Sequence, residues 1–184
     1  MVANRSSAVP LTLLFVALVI YASLYPFAGW RWPGGSVWAF VQAPLPRYWT
    51  RFDVLANLVG YMPLGFLLAL GLLRSGWGRW SWPAAVVLPS VLSLTLEALQ
   101  NFLPMRVPSN LDLALNAAGA SLGVCLAGVL ERLGVLHRWT RFRRHWFVPQ
   151  AHGSLVLLVL WPLALLYPVS VPFGLGQVWE PLER

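Results

Sequence analysis

Five apolar stretches, each close to the length needed to cross a bilayer, constrain the fold of this chain most strongly. They run approximately over Val9–Phe27, Val54–Leu73, Pro83–Leu103, Leu111–Leu130 and Ser154–Phe173. A transmembrane helix needs about 20 predominantly apolar residues. Charged residues make up only 10% of the chain, against about 25% in soluble domains. We therefore predict an all-α fold, a polytopic transmembrane helix bundle of about five spans.

The hydrophobic pattern divides the chain into three parts. Residues 1–130 hold the first four spans, residues 131–153 form a basic loop, and residues 154–184 hold the fifth span and a short tail. Aromatic residues at helical spacing among the loop arginines predict an amphipathic helix on the cytoplasmic membrane surface, with a solvated loop as the alternative. Because the tail after Phe173 is short, we expect the natural protein to continue further.

The arginine distribution predicts the orientation of the spans. With the N-terminus in the cytoplasm, the cytoplasmic segments hold eight of the 13 arginines, and positive residues favour that side. A net charge of +7 in a chain with so few charged residues therefore indicates topology. It does not indicate a nucleic-acid surface, and no nucleic-acid partner is predicted.

One polar pattern occurs twice, at the start of the second span and at the start of the fourth. The copies are Thr50-x-x-Asp53-x-x-x-Asn57-x-x-Gly60 and, 59 residues later, Ser109-x-x-Asp112-x-x-x-Asn116-x-x-Gly119. In each copy the Asp, Asn and Gly fall on one face of a helix. Two spans separate the copies, so both enter the membrane in the same direction and form a parallel internal repeat.

Further polar residues are predicted to lie beside the repeated pattern. Glu97 and Gln100 end the third span, and Arg106 lies in the short connector that follows. A charged residue inside an apolar span costs about 2.5–3.5 kcal/mol on insertion scales, so Glu97 favours a functional role. Under the predicted topology all these groups converge on the outer membrane face. The candidate ligand-binding residues are Asp53, Asn57, Glu97, Gln100, Arg106, Asp112 and Asn116.

A structural interpretation of the same residues stays open. Both copies match the capping box of a helix N-terminus, and the Asn side chains could bond to neighbouring helices. The third and fourth spans form a hairpin across their short connector, and Arg106 could form an ion pair with Glu97 or Asp112 that holds this hairpin together. Gly119-x-x-x-Gly123 predicts close helix packing, and Cys125 is predicted to be a buried, inert thiol.

The order and spacing of these motifs resemble the VanZ-like family of bacterial membrane proteins over roughly residues 10–130. The matching residues are Tyr21-x-x-Leu24-x-Pro26-Phe27, Asp53-x-x-x-Asn57-x-x-Gly60, Pro63-Leu64-Gly65, Glu97-x-x-Gln100, Arg106, Asp112-x-x-x-Asn116-x-x-Gly119 and Gly123. The resemblance implies a multi-pass protein of the bacterial cytoplasmic (inner) membrane. The founding member of the family is associated with low-level resistance to glycopeptide antibiotics, especially teicoplanin. The resemblance implies no agreed reaction or substrate.

Three functions are compatible with this pattern. The first is an outer-leaflet site that binds or processes a cell-envelope lipid or a lipid-linked wall precursor, with Arg106 meeting an anionic group. The second, suggested by the parallel repeat, is a small transporter or ion-coupled carrier. The third is a structural or partner-binding membrane protein. The second and fourth spans become apolar after Gly65 and Gly123, which favours a one-sided site over a carrier.

No cofactor and no metal site are predicted, because Ser-His-Asp, Cys-His, phosphate-loop and zinc patterns are absent from the sequence. Carboxylates together with amides leave a magnesium or calcium site as a side option. We lean towards binding over catalysis. The expected partners are membrane lipids, including a lipid-linked envelope precursor, and a homo-oligomer is compatible with so small a bundle.

Overall fold

The computed structural model describes residues 8–138 and 141, and this part of the chain is helical, without a strand. The four long helices are α1 (Ala8–Leu24), α2 (Arg51–Arg74), α3 (Ser81–Gln100) and α4 (Asn110–Arg132), with short 3-10 turns at Ala39–Gln42 and Gly78–Trp80. All four belong to one compact unit. The helical bundle is confirmed, and the helices follow the first four predicted spans. The fifth predicted span and most of the basic loop lie outside the described residues.

The helices are those of a membrane protein in both length and surface. Three helices are long and apolar enough to cross a membrane: α2, α4, and α3 counted together with its preceding 3-10 turn. The helix α1 has only 17 residues. Large aliphatic side chains cover their outer faces, among them Leu55, Val59, Val87, Val91, Leu122 and Leu126. So much exposed apolar surface suits lipid and would be a liability in water.

The prediction that Cys125 is buried is wrong. Cys125 is exposed, on the same face of α4 as Leu122 and Leu126. The physical reason is the direction in which α4 packs. Its glycines and alanines face the neighbouring helices, so the thiol is left on the apolar exterior.

The helices α2 and α4 pack against each other through glycine. A Cβ at Gly119 would overlap the carbonyl oxygen of Leu58, and one at Gly123 would overlap that of Met62. From the other side, a Cβ at Gly65 would overlap the carbonyl oxygen of Ala120. Small residues let helix backbones approach this closely. The contact predicted from Gly119-x-x-x-Gly123 is therefore confirmed.

The two ends of the bundle differ in character. At one end, small side chains form the core, including Ala8, Ala69, Ala85 and Ala127. At the opposite end lie the last turns of α1 and α3 and the first turns of α2 and α4, since Gln100 contacts Ser23 and Ser109 contacts Glu97. We call this second end the cavity end.

The long connector between α1 and α2, residues 25–50, is fastened to the cavity end by hydrogen bonds. The backbone N–H of Arg31 donates to the carbonyl of Phe102 (2.9 Å). The amide Nδ2 of Asn101 donates to the carbonyl of Val37 (3.0 Å), and Nδ2 of Asn110 donates to that of Ala43 (2.6 Å). The connector is thereby held beside the chain segments that carry the polar residues.

Candidate functional site

A cavity of about 600 Å³ opens at the cavity end of the bundle. All four helices contribute to its lining, together with the connectors before α2 and α4. The cavity brings together every residue singled out in the sequence: Asp53, Asn57, Glu97, Gln100, Arg106, Asp112 and Asn116. Their shared position is an observation, and their role in binding a ligand stays a prediction.

The first copy of the repeated pattern closes the N-terminus of α2 with a complete capping box. The Thr50 hydroxyl accepts a hydrogen bond from the backbone N–H of Asp53 (3.1 Å). In return, Oδ2 of Asp53 accepts from the backbone N–H and from the hydroxyl of Thr50, both at 2.8 Å. The structural interpretation is confirmed here, because the Asp53 carboxylate satisfies groups of its own helix end.

The second copy is capped differently, because Glu97 takes the place of the acid in the box. The Ser109 hydroxyl accepts from the backbone N–H of Asp112 (3.2 Å), but the N–H of Ser109 donates to Oε2 of Glu97 (2.8 Å). Glu97 is only 4% exposed. Because Glu97 lies near the end of α3 and Ser109 just before α4, this bond joins the two helices. The Asp112 carboxylate therefore does not cap the Ser109 N–H; it lies beside the Ser109 side chain and lines the cavity.

The two asparagines of the pattern face neighbouring helices, as the structural interpretation proposed. The Asn57 side chain on α2 lies beside the carboxylate of Asp112 on α4. Nδ2 of Asn116 donates to the hydroxyl of Ser93 on α3 (2.9 Å). Asn116 is only 4% exposed, and its carbonyl oxygen Oδ1 is buried without a hydrogen-bond partner. A buried amide oxygen that lacks a donor is a costly arrangement.

Arg106 lies within electrostatic range of Glu97, but the predicted ion pair with Glu97 or Asp112 is wrong, because the guanidinium forms its hydrogen bonds elsewhere. Instead, Nε of Arg106 donates to the carbonyl of Tyr25 (3.1 Å), and Nη2 donates to those of Ala22 (2.8 Å) and Tyr25 (2.9 Å). The last carbonyls of a helix have no partner inside the helix, and an arginine side chain can supply one. At the end of α1 that demand took precedence over an ion pair.

Gln100 binds the same helix end. Its Nε2 donates to the carbonyl of Ser23 (3.2 Å), and its side chain is only 9% exposed. Two of the predicted ligand-binding residues, Gln100 and Arg106, thus hold α1 against the α3–α4 hairpin while also lining the cavity.

Several cavity residues escaped the sequence analysis. Tyr61 lines the cavity one helical turn beyond Asn57, and it lies beside Ser93, which is one turn before Glu97 on α3. Extending the helix-face argument by one turn from Asn57 and from Glu97 would have found both. Phe52 and Tyr48 at the mouth, 77% and 93% exposed, carried no signal that separates them from interfacial aromatics.

The charges of the cavity are unbalanced. Among the described residues, its lining holds three carboxylates and one guanidinium, which leaves a formal charge of −2. Asp112 lies within electrostatic range of both Asp53 and Glu97. Among residues 8–138 and 141, however, no group of three or more His, Cys, Asp or Glu side chains could hold a metal ion. The geometry does not favour the magnesium or calcium option.

Comparison with known proteins places most of the bundle in one family. The family model described as VanZ/LLP1 matches residues 5–131, which include every cavity residue named above and all four described helices except the last residue of α4. No curated protein matches the chain. No solved structure matches it either.

Proposed function

This chain belongs to the VanZ/LLP1 family, and we propose that it binds a membrane amphiphile in the cavity at one end of its helix bundle. The amphiphile is a cell-envelope lipid or a lipid-linked wall precursor, whose polar head enters the cavity while its apolar chain lies along the helices. Binding, without a chemical step, is the activity proposed.

The main support for the proposal is the difference in composition between the buried part of the cavity and its mouth. Its buried part presents Glu97, Gln100 and Asn116, each less than a tenth exposed. Its mouth presents exposed aromatic and aliphatic side chains, including Phe52, Tyr48 and Val107. Polar groups buried at the base and apolar groups at the rim match a ligand with a polar head and an apolar chain.

The one-sided position of the cavity favours binding over transport. A carrier needs polar groups that continue towards the opposite end of the bundle. Beyond Gly65 and Gly123, α2 and α4 present mainly aliphatic residues, and the core between these halves is built from alanine, leucine and valine.

The predicted orientation puts the cavity at the outer leaflet of the bacterial inner membrane, where lipid-linked wall precursors meet glycopeptide antibiotics. Retention of such a precursor would change how much of it teicoplanin can reach. The expected result is that a host expressing the protein differs in teicoplanin susceptibility from a host expressing Glu97→Gln. Equal susceptibility at equal protein level would contradict this part of the proposal.

Native mass spectrometry of the purified protein tests the binding proposal. The wild type is expected to retain an envelope lipid through mild detergent removal, and Glu97→Gln is expected to retain markedly less. The glutamine keeps an oxygen that can accept from the Ser109 N–H, so it removes the charge while preserving the bond that joins α3 to α4.

Glu131→Gln supplies the matched control for this experiment. Glu131 lies in the last turns of α4, at the end of the bundle away from the cavity, so the same chemical change should leave lipid retention at the wild-type level. Equal retention by all three proteins, or a wild type that retains no lipid, would reject the cavity as an amphiphile site.

A further inference from the structure

We infer that the cavity selects a headgroup bearing a primary ammonium group. This inference rests on the proposed function, because it names the headgroup of the amphiphile that the cavity would bind. The ligand chemistry follows from two independent observations: the charge balance of the lining and one buried oxygen that has no donor.

The first observation is that carboxylates outnumber cationic groups among the described residues of the cavity lining. Asp112 has two carboxylate neighbours, Asp53 on α2 and Glu97 on α3. Arg106, the one arginine among the described lining residues, lies within electrostatic range of Glu97, but it gives its three hydrogen bonds to carbonyls at the end of α1. Carboxylates that lie together in a partly dry site repel one another unless a cation joins them.

The second observation is the carbonyl oxygen of Asn116. Asn116 lines the cavity and is only 4% exposed, and its Oδ1 has no hydrogen-bond partner. Its Nδ2 donates to Ser93, so the group that still lacks a hydrogen-bond partner is the acceptor oxygen. An acceptor is satisfied by an N–H or O–H donor, and a phosphate or carboxylate offers no donor when ionised.

A primary ammonium group answers both observations at once. It carries the positive charge that the carboxylates lack, and it has three N–H donors, enough for Glu97, Asp112 and the oxygen of Asn116. A quaternary ammonium would supply the charge without the donors. A neutral sugar would supply donors without the charge. A metal cation is disfavoured because no group of three or more acidic, His or Cys side chains in the described part of the chain could hold one.

Arg106 suits the other half of a zwitterionic headgroup. Its three hydrogen bonds use Nε and Nη2, and Nη1 takes no part in them. The guanidinium lies in the α3–α4 connector at the edge of the cavity lining, so a phosphate next to the ammonium group would meet it there. Arginine is well suited to phosphate contact.

Chain-matched lipids test this inference. The probes are phosphatidylethanolamine, phosphatidylcholine and phosphatidylglycerol with identical acyl chains, titrated against the purified protein and followed by native mass spectrometry. The wild type should bind the ethanolamine lipid about tenfold more tightly than the glycerol lipid, as expected for charge-assisted hydrogen bonds. The choline lipid should fall between them.

The double variant Glu97→Gln, Asp112→Asn should bind the ethanolamine and glycerol lipids equally, since both replacements keep an acceptor oxygen but remove the charge. Glu131→Gln should keep the wild-type preference. Water-soluble glycerophosphoethanolamine, added as a competitor, distinguishes a lipid ligand from a water-soluble amine. Weak competition supports a lipid ligand. Full competition keeps the ammonium inference and contradicts the amphiphile proposal.

The two claims fail in different ways. A wild type that binds the glycerol lipid as tightly as the ethanolamine lipid, with both weakened in Glu97→Gln, overturns the ammonium inference and leaves the amphiphile site standing. A wild type whose binding of every probe equals that of the double variant overturns the proposed function itself.

Discussion

At the scale of single residues, Glu97 combines a structural contact with a position in the cavity. A glutamate inside an apolar span is costly to folding, and this cost favours a functional role for Glu97. The structure adds a folding contribution, because Oε2 accepts from the backbone N–H of Ser109. Charge and acceptor are thus two separate properties of this side chain, and two substitutions can separate them.

We predict that Glu97→Gln melts close to the wild type, whereas Glu97→Leu melts earlier. Glutamine retains an acceptor for the Ser109 N–H, and leucine leaves that donor without its partner, at a cost of about 1–3 kcal/mol. Thermal unfolding in detergent, followed by tryptophan fluorescence, measures the difference. A leucine variant as stable as the glutamine variant would show that the bond to Ser109 contributes nothing to folding.

We also predict that the two aspartates of the repeat differ in their effect on ligand binding. Asp53 is exposed, and its Oδ2 accepts both hydrogen bonds of the capping box. The half-buried Asp112 carboxylate lies beside the side chains of Asn57, Ser109 and Glu97. Asp112→Asn should therefore weaken lipid binding about tenfold, as expected for loss of a charged hydrogen-bonding group. Asp53→Asn should leave it nearly unchanged, and equal losses would reject the distinction.

At the scale of helices, equivalent positions of the repeat have different surroundings. Gly119 lies against the backbone of α2 at Leu58, whereas a Cβ at the corresponding Gly60 would meet nothing within 4 Å. The sequence predicted a close contact from Gly119-x-x-x-Gly123. It could not predict that the first copy would leave its glycine open, because that depends on which side of α2 receives α4.

This pair of glycines supplies a matched stability test. Gly119→Ala should destabilise the bundle by about 1–3 kcal/mol, because the added methyl group forces two packed backbones apart. Gly60→Ala should stabilise it by about 0.5–1 kcal/mol through helix propensity. Melting temperatures in one detergent measure both. If both variants shift in the same direction, the asymmetric packing of α2 and α4 is wrong.

At the scale of the whole molecule, the hydrophobic pattern predicted the number and limits of the described helices, because membrane helices are set by length and apolar content. The helix faces predicted which polar side chains would share a cavity. Two sets of hydrogen bonds could not be predicted from the sequence. The bonds of Arg106 to the end of α1 and those of Asn101 and Asn110 to the connector depend on backbone carbonyls, which every residue carries and no sequence pattern marks.

The orientation of the molecule leads to a labelling prediction. In a Cys125→Ala background, Leu45→Cys in the connector at the cavity end and Leu133→Cys after α4 both replace exposed side chains. A membrane-impermeant thiol reagent applied to whole cells should label the first and spare the second, as the arginine distribution predicts. The reverse pattern would move the cavity to the cytoplasmic leaflet.

The central claim, that an amphiphile occupies this cavity, is tested most directly by photo-crosslinking in the living membrane. A photoreactive phenylalanine at Phe52 reports on the cavity mouth, and the same residue at Leu126 reports on the outer surface of α4. We predict that adducts at position 52 are enriched in one lipid class, and that this enrichment disappears in Glu97→Gln. Adducts at position 126 should follow the bulk membrane. The same lipid distribution at both positions would contradict the account.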